Sequence, residues 1–324
     1  MHWTRRSLLI GAASAWMAAG LPTAARAEVR VAGGPAFGTY WRATLPPDTD
    51  ADGATAAIEA VVATVDAAVS PYRDQSEISR FNAMASTDWL PLSGDGAAVA
   101  AEGLRIASLT AGAFDPTVGG IVSRYGFGPI HAVGPAAYTD LAVRGNQMRK
   151  AAAGVTFDPC GIAKGYALDL MVDGLAGLGI RAFLIELGGE VAARGAHPDG
   201  RPWQVGVERP GAAAPSFQRI VHLDGNALAT SGDGINGFDF GGRRYSHIID
   251  PRTGEPVEGQ LASVSVMAAS AMTADGLATA LFAMGSDSGP AFATQIGIDA
   301  LFLARDGSGL RETMTGAFAA HIIA

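Results

Sequence analysis

The side chains in this sequence best suited to chemistry are few and far apart. Asp158-Pro-Cys-Gly-Ile-Ala-Lys164-Gly165 combines a carboxylate, two glycines and one of only two lysines in 324 residues. It lies between an apolar stretch, residues 154–157, that reads as the end of a strand, and residues 166–178, where apolar positions recur at helical spacing. A strand-to-helix junction of this kind exposes backbone N–H groups that can hold phosphate. It is not a Walker loop, because Lys164 is followed by Gly165 and no hydroxyl is placed to meet Mg²⁺. Taken alone, the stretch is equally an ordinary turn with a solvated lysine.

Asp275 and Thr279 stand four apart in a helical pattern and so share one face. A carboxylate and a hydroxyl are hard oxygen donors of the kind Mg²⁺ accepts, with water and substrate phosphate completing its shell. The bland reading of the same spacing is a helix that favours Asp275 near its N-terminus, with Thr273 as cap and Thr279 buried by packing. His247 falls in an alternating stretch just before Asp250-Pro251, where a hydrogen-bonded structural role competes with that of a base. Asp115 and Asp158 each close an apolar segment, either on the rim of a site or in turns of their own making. Neither Gly-x-Ser-x-Gly nor His-Glu-x-x-His occurs, and Gly126-Phe-Gly128 lacks the rest of a dinucleotide fingerprint.

These residues must be positioned by strands and helices that do not alternate strictly. Strands are expected at 29–31, 39–45, 182–187, 203–208, 220–223, 227–230, 243–249 and 264–267, and Phe37-Gly38-Thr39 turns the first into the second. Helices are expected at 51–69, 76–82, 97–110, 166–178 and 273–284, the last stopped by Gly285. The mixture points to an α+β fold in one compact domain over 28–324, with a mixed or antiparallel sheet and flanking helices.

Residues 1–27 are set aside. Arg5-Arg6, an apolar run over 8–21 and Ala25-Arg26-Ala27 form an export signal, of twin-arginine or Sec type. The chain is acidic, with a formal charge of −8, and has no basic block, which argues against nucleic acid or anionic membrane as partner. No apolar run beyond the signal reaches membrane-spanning length. Cys160 is the single cysteine, so neither an internal disulfide nor a cysteine metal site can form.

The order of the motifs says more than any one of them. Phe37-Gly-Thr39, Tyr72 with Ser76-Glu-Ile-Ser-Arg-Phe-Asn82, Gly112-Ala-Phe-Asp-Pro-Thr117 and Asp158 through Gly165 come first. Leu187-Gly-Gly189, Pro202-Trp203, Thr230-Ser-Gly-Asp233, His247-Ile-Ile-Asp-Pro251 and Ala274-Asp-Gly-Leu-Ala-Thr279 follow. In that order they resemble the ApbE family of FAD:protein FMN transferases over nearly the whole chain after the signal.

The resemblance implies a periplasmic enzyme that takes FAD as substrate and Mg²⁺ as cofactor. It would move FMN onto a threonine or serine of a flavin-accepting redox protein and release AMP. Phe37, Tyr72, Ala113, Phe114, Asp115, Asp158, Lys164 and Ile249 would line the FAD site. The Gly161 carbonyl and the Asp275 and Thr279 side chains would hold Mg²⁺, and His247 is the candidate base. The sequence departs from the family pattern at Phe37, where methionine is usual, and at Pro159-Cys160, where Leu-Gly is commoner. It departs again at Gly234, where an aromatic is usual, and at Ala278, where some relatives carry a second acid, which argues for fewer carboxylate ligands. The rivals are an Mg²⁺-dependent FAD pyrophosphatase, against which Tyr72 speaks because the hydrolytic branch carries asparagine there, and a flavin carrier without turnover.

Overall fold

The computed structural model describes residues 28–323 apart from 133, 213, 215, 235–236 and 241–242, so the expected signal at 1–27 lies outside the described residues. Eight strands form the frame: β1 (Arg30–Ala36), β2 (Thr39–Leu45), β3 (Phe183–Leu187), β4 (Glu190–Arg194), β5 (Ala227–Gly232), β6 (Leu261–Ala268), β7 (Asp299–Asp306) and β8 (Gly309–Thr315). Each pairs antiparallel with its neighbour in the chain, so the sheet is a meander into which everything else is inserted. The α+β class with an antiparallel sheet is therefore as expected from the sequence.

Two tight turns lie side by side at one end of the sheet. Phe37 and Gly38, with φ of 49° and 76°, turn β1 into β2, and Gly188 and Gly189, with φ of 58° and 107°, turn β3 into β4. The Gly188 amide donates to the Tyr40 carbonyl at 3.0 Å. A Cβ on Gly188 would stand 2.6 Å from Thr39, so glycine is required there for space as well as for φ.

Alternation across the pleat divides the core in two. Trp41, Ala43, Ile185, Leu187, Ala192, Ala229, Val264 and Phe302 face the helices. Val191, Ala193, Leu228, Leu301 and Leu303 face a hairpin of residues Trp203–Glu208 and Phe217–Leu223, together with Phe318. Each fully buried Leu, Val or Phe contributes about 1.5–3 kcal/mol, so this two-sided burial fixes the sheet register.

The helices α1 (Ala51–Val69), α2 (Glu77–Ala83), α3 (Gly94–Leu109), α4 (Gly119–Arg124) and α5 (Ala163–Gly177) occupy the long insertion between β2 and β3. Asp50, Ser76 and Ser93 cap the first three through their side-chain oxygens. The helix α6 (Ala271–Ile296) joins β6 to β7. Its N-cap is Ser270, not Thr273: the Ser270 side chain accepts from the Thr273 amide. Gly285 (φ 81°, ψ −176°) breaks the helix where expected, but helical residues resume beyond it. A Cβ on Gly289 would stand 2.8 Å from the Leu281 carbonyl, so the second segment folds back on the first and returns the chain to β7.

Two sequence expectations fail. Residues 154–157 pair with no strand: the Asn82 side chain takes the place of a neighbour, donating to the Phe157 carbonyl at 2.9 Å and accepting from its amide at 2.7 Å. The expected strand 243–249 is two short ones, Arg243–Ser246 and Ile249–Asp250, with His247 in the bend between them.

The contact between α5 and α6 is the tightest in the helical layer. A Cβ on Gly165 would lie 2.3 Å from the Ala271 carbonyl oxygen. Gly165→Ala is therefore expected to destabilise the protein by about 1–3 kcal/mol, as overpacking does, despite the better helix propensity of alanine. The check is a urea unfolding curve. A midpoint at or above wild type would show that the two helices part freely.

Candidate active site

The end of the sheet that carries the two tight turns also carries the site. Glu190 opens β4 on the helix-facing side, two residues before Ala192 of the same face. Ser231 lies near the end of β5 on that side, two residues after Ala229. The Ser231 hydroxyl lies 3.2 Å from the Thr279 hydroxyl on α6. Gly161, just before α5, comes close as well: a Cβ there would stand 3.2 Å from Thr279 Oγ1 and 3.1 Å from the Phe114 ring. The absence of that Cβ lets the Gly161 backbone reach the Thr279 side chain.

Asp275 sits one helical turn before Thr279 and is buried. Its Oδ2 accepts from the Gly165 amide at 3.0 Å, so the first turn of α5 and the carboxylate of α6 fix each other. The α6 N-terminus is fixed in turn by Asp169 of α5, which accepts from Ser270 Oγ at 2.7 Å and from the Ala271 and Met272 amides at 2.7 and 3.0 Å. Asp275 and Thr279 thus lie one turn apart on α6, and the fold brings Gly161 to Thr279.

Lys164 lies in the first turn of α5 and forms an ion pair with Glu190. Burial pulls the Lys164 ammonium down, but Glu190 and Asp275 outweigh it and hold its pKa above the ordinary lysine range. Burial pushes Glu190 up to about 7, with Asp275 adding to the rise and Lys164 opposing it. Asp275 is likewise raised by burial, against the pull of Lys164 and the Gly165 amide. Asp158 is raised by burial too, although the Cys160 amide donates to it at 2.9 Å. Glu190 and Asp275 are both buried, and Lys164 is the cation that acts on both. Such a pocket favours a cation and repels a bare anion.

The oxygens gathered here fit Mg²⁺: one carboxylate, one hydroxyl and one backbone carbonyl, all hard donors that leave room for water and phosphate. Among the described residues no three His, Cys, Asp or Glu side chains gather into a metal cage, so a metal held here rests on this sparse set.

The other expected ligand contacts divide. Phe114 and Ala113 are buried, Phe114 beneath the Gly161 turn. The Asp115 carboxylate joins its loop to the segment at 138–140: Oδ1 accepts from the Thr117 amide and hydroxyl at 2.8 and 2.7 Å, and Oδ2 from the Tyr138 amide at 3.0 Å. Tyr72 is 67 % exposed; partial burial of its hydroxyl, with Cys160 and Asp158 nearby, raises its pKa and places it beside the Asp158 turn. Phe37 packs against the core at the β1–β2 turn. Ile249 is buried, and Arg252 ties its segment to α6 by donating to the Ala283 carbonyl at 3.4 Å. His247 stands with its ring edge-on to Phe127, centroids 6.2 Å apart, and so belongs to the wall made by 119–127 and 245–255. Tyr125 donates to Glu255 across that same wall.

Residues 37–302 match the model of the ApbE family. The chain belongs to the ApbE family. It is 36 % identical to an FAD:protein FMN transferase of Vibrio cholerae, over 97 % of this chain and 98 % of that protein. It is 34 % identical to one of Haemophilus influenzae, over 81 % of each. The solved flavin transferase ApbE from Vibrio cholerae aligns with a TM-score of 0.82 at 34 % identity, covering 91 % of this chain and 100 % of that one. The apo Pseudomonas stutzeri flavinyl transferase ApbE gives 0.81 at 35 %, covering 92 % and 98 %.

In this ApbE chain, sequence reading missed Glu190, Ser231, Asp169 and the clamp made by Asn82. Glu190 follows two turn glycines and looks like a surface residue until the sheet face is known. Asn82 lies inside a quoted motif, but its partner, Phe157, is 75 residues away. Asn82→Ala is expected to cost about 1–3 kcal/mol, because it strands a buried amide and carbonyl at Phe157. Denaturant unfolding measures this, and a loss below the resolution of the measurement would mean that water replaces the clamp.

Proposed function

We infer that the protein transfers FMN from FAD to a threonine or serine hydroxyl of an acceptor redox protein and releases AMP, in the periplasm. The observation that carries this reading is the meeting of Gly161, Lys164, Asp275 and Thr279, supplied by segments more than a hundred residues apart, at the mouth of an ApbE fold. Relatives named FAD:protein FMN transferase supply the reaction.

The acceptor oxygen forms a bond to the FMN phosphorus while the bond from that phosphorus to the bridging oxygen breaks. The electron pair of that bond leaves with AMP. Negative charge grows on the pyrophosphate, and the Lys164 ammonium stands where it can offset that charge. The Gly161 carbonyl and the Asp275 and Thr279 side chains would hold Mg²⁺, which would supply further positive charge beside the buried Glu190 and Asp275. Asp275 and Thr279 are held for that task by the Gly165 amide and by Ser231. His247 takes the acceptor proton, its ring backed by Phe127. Tyr72 offers an exposed aromatic face at the mouth for the isoalloxazine to lie on. The signal at 1–27 would deliver the enzyme to the periplasm, and among the described residues no helix is long and apolar enough to cross a membrane.

The test is incubation with FAD, Mg²⁺ and a flavin-accepting redox domain, followed by the intact mass of the acceptor. A gain of one FMN by an acceptor threonine or serine, with stoichiometric AMP, is expected. Free FMN and AMP without an adduct would make the protein a pyrophosphatase, and intact bound FAD would make it a carrier. Asp275→Ala, or chelation of the metal, should abolish AMP release while the fold persists. His247→Asn should slow transfer by about 10²–10⁴-fold, as loss of a general base does, with FAD affinity little changed. Equal loss of both would make His247 a structural residue.

A further inference from the structure

Glu190 is a buried acid that the mechanism above does not use. It is 2 % exposed, one carboxylate oxygen holds Lys164, and the other, Oε2, is buried with no hydrogen-bond partner among the described residues. A buried carboxylate with an orphaned oxygen destabilises a fold, and replacing such an ion pair by apolar groups is often neutral or better. Its position is therefore poorly accounted for by stability. What it does hold is an ammonium on a flexible four-carbon stem, 33 % exposed, whose one described hydrogen bond is to Glu190. A lysine head has three donors. With one of them committed to Glu190, two are left for a ligand.

The geometry points to Glu190 as the positioning residue for Lys164, fixing the ammonium in advance of an anionic diphosphate, so that its ordering is complete before substrate arrives. The rigid platform is visible in the backbone. Glu190 pairs with Leu187 across the Gly188-Gly189 turn, and that turn is bonded to Tyr40 of β2. Lys164 is fixed at its base because the neighbouring Gly165 amide is bonded to Asp275. Both ends of the pair thus stand on elements that do not move independently. This inference rests on the FMN-transfer reading for its substrate, but the holding of Lys164 is measurable without it.

The chain has two lysines, and the other, Lys150, is buried and donates to the Phe81 and Asn82 carbonyls. Amine labelling by reductive methylation, resolved by peptide mass spectrometry, therefore reads Lys164 cleanly. Glu190→Gln keeps the size and one acceptor but removes the charge. It should raise the Lys164 labelling rate at least about threefold, since a released amine is less protonated and more mobile. Turnover of FAD should fall at least about tenfold with FAD affinity within about threefold, the pattern of a contact realised in the transition state. In a Lys164→Met background, Glu190→Gln should cost no further turnover.

Unchanged labelling, or turnover losses that multiply in the double variant, would overturn the proposal. So would a Glu190→Gln protein that fails to fold alongside a Glu190→Asp protein that folds and labels like wild type, because a structural role would then suffice. If wild type moves no FMN yet Glu190→Gln frees Lys164 to label, the transfer reading fails and the positioning of Lys164 stands.

Discussion

The junction of α5 with α6 is the constraint on which the rest of the site depends. Gly165 lets the two backbones touch, and two carboxylates then bind the helices from opposite sides. Asp275 of α6 accepts from the Gly165 amide at the start of α5, and Asp169 of α5 accepts from the exposed amides at the start of α6. Neither helix can rotate without losing a buried charge-assisted hydrogen bond. Because Lys164 and Gly161 flank this contact and Thr279 is one turn beyond it, their spacing follows from the crossing of the helices, not from any loop.

Electrostatics at the same place sets the terms on which an anion can enter. Asp158, Glu190 and Asp275 are buried, and burial raises each of them. A diphosphate entering alone would meet net negative charge. The Lys164 ammonium is the cation that the chain itself sets against Glu190 and Asp275. The mouth, by contrast, is marked by an exposed aromatic, Tyr72, suited to a flat ring system.

Much of this fold was legible in the sequence because its periodicities are local. Residues 51–69 and 39–45 form the elements that their patterns predict, and Gly285 breaks α6 where glycine was expected to. What could not be read was any bond whose partner lies far away in the chain. Residues 154–157 have a strand's composition, yet their hydrogen bonds go to one asparagine side chain. Asp115 was left between a rim position and a turn, and three hydrogen bonds place its carboxylate in the loop. The ordered motifs single out Gly161 and Lys164 because family likeness records positions, but likeness of order does not show that Lys164 has an acid beside it.

The meander has a consequence at its margins. When strands neighbour one another in chain order, the first and the last must be the edges, and open edges invite pairing with other molecules. β1 meets that hazard with Pro35, which has no amide to offer and is tolerated in a sheet only where no further strand is wanted. β8 meets it differently: Glu312 takes Gln218 and Arg219 from the neighbouring hairpin at 2.5 and 2.9 Å, while Arg311 stays in solvent. The two ends of the sheet are thus guarded against aggregation by unrelated means, one by a missing donor and the other by charge.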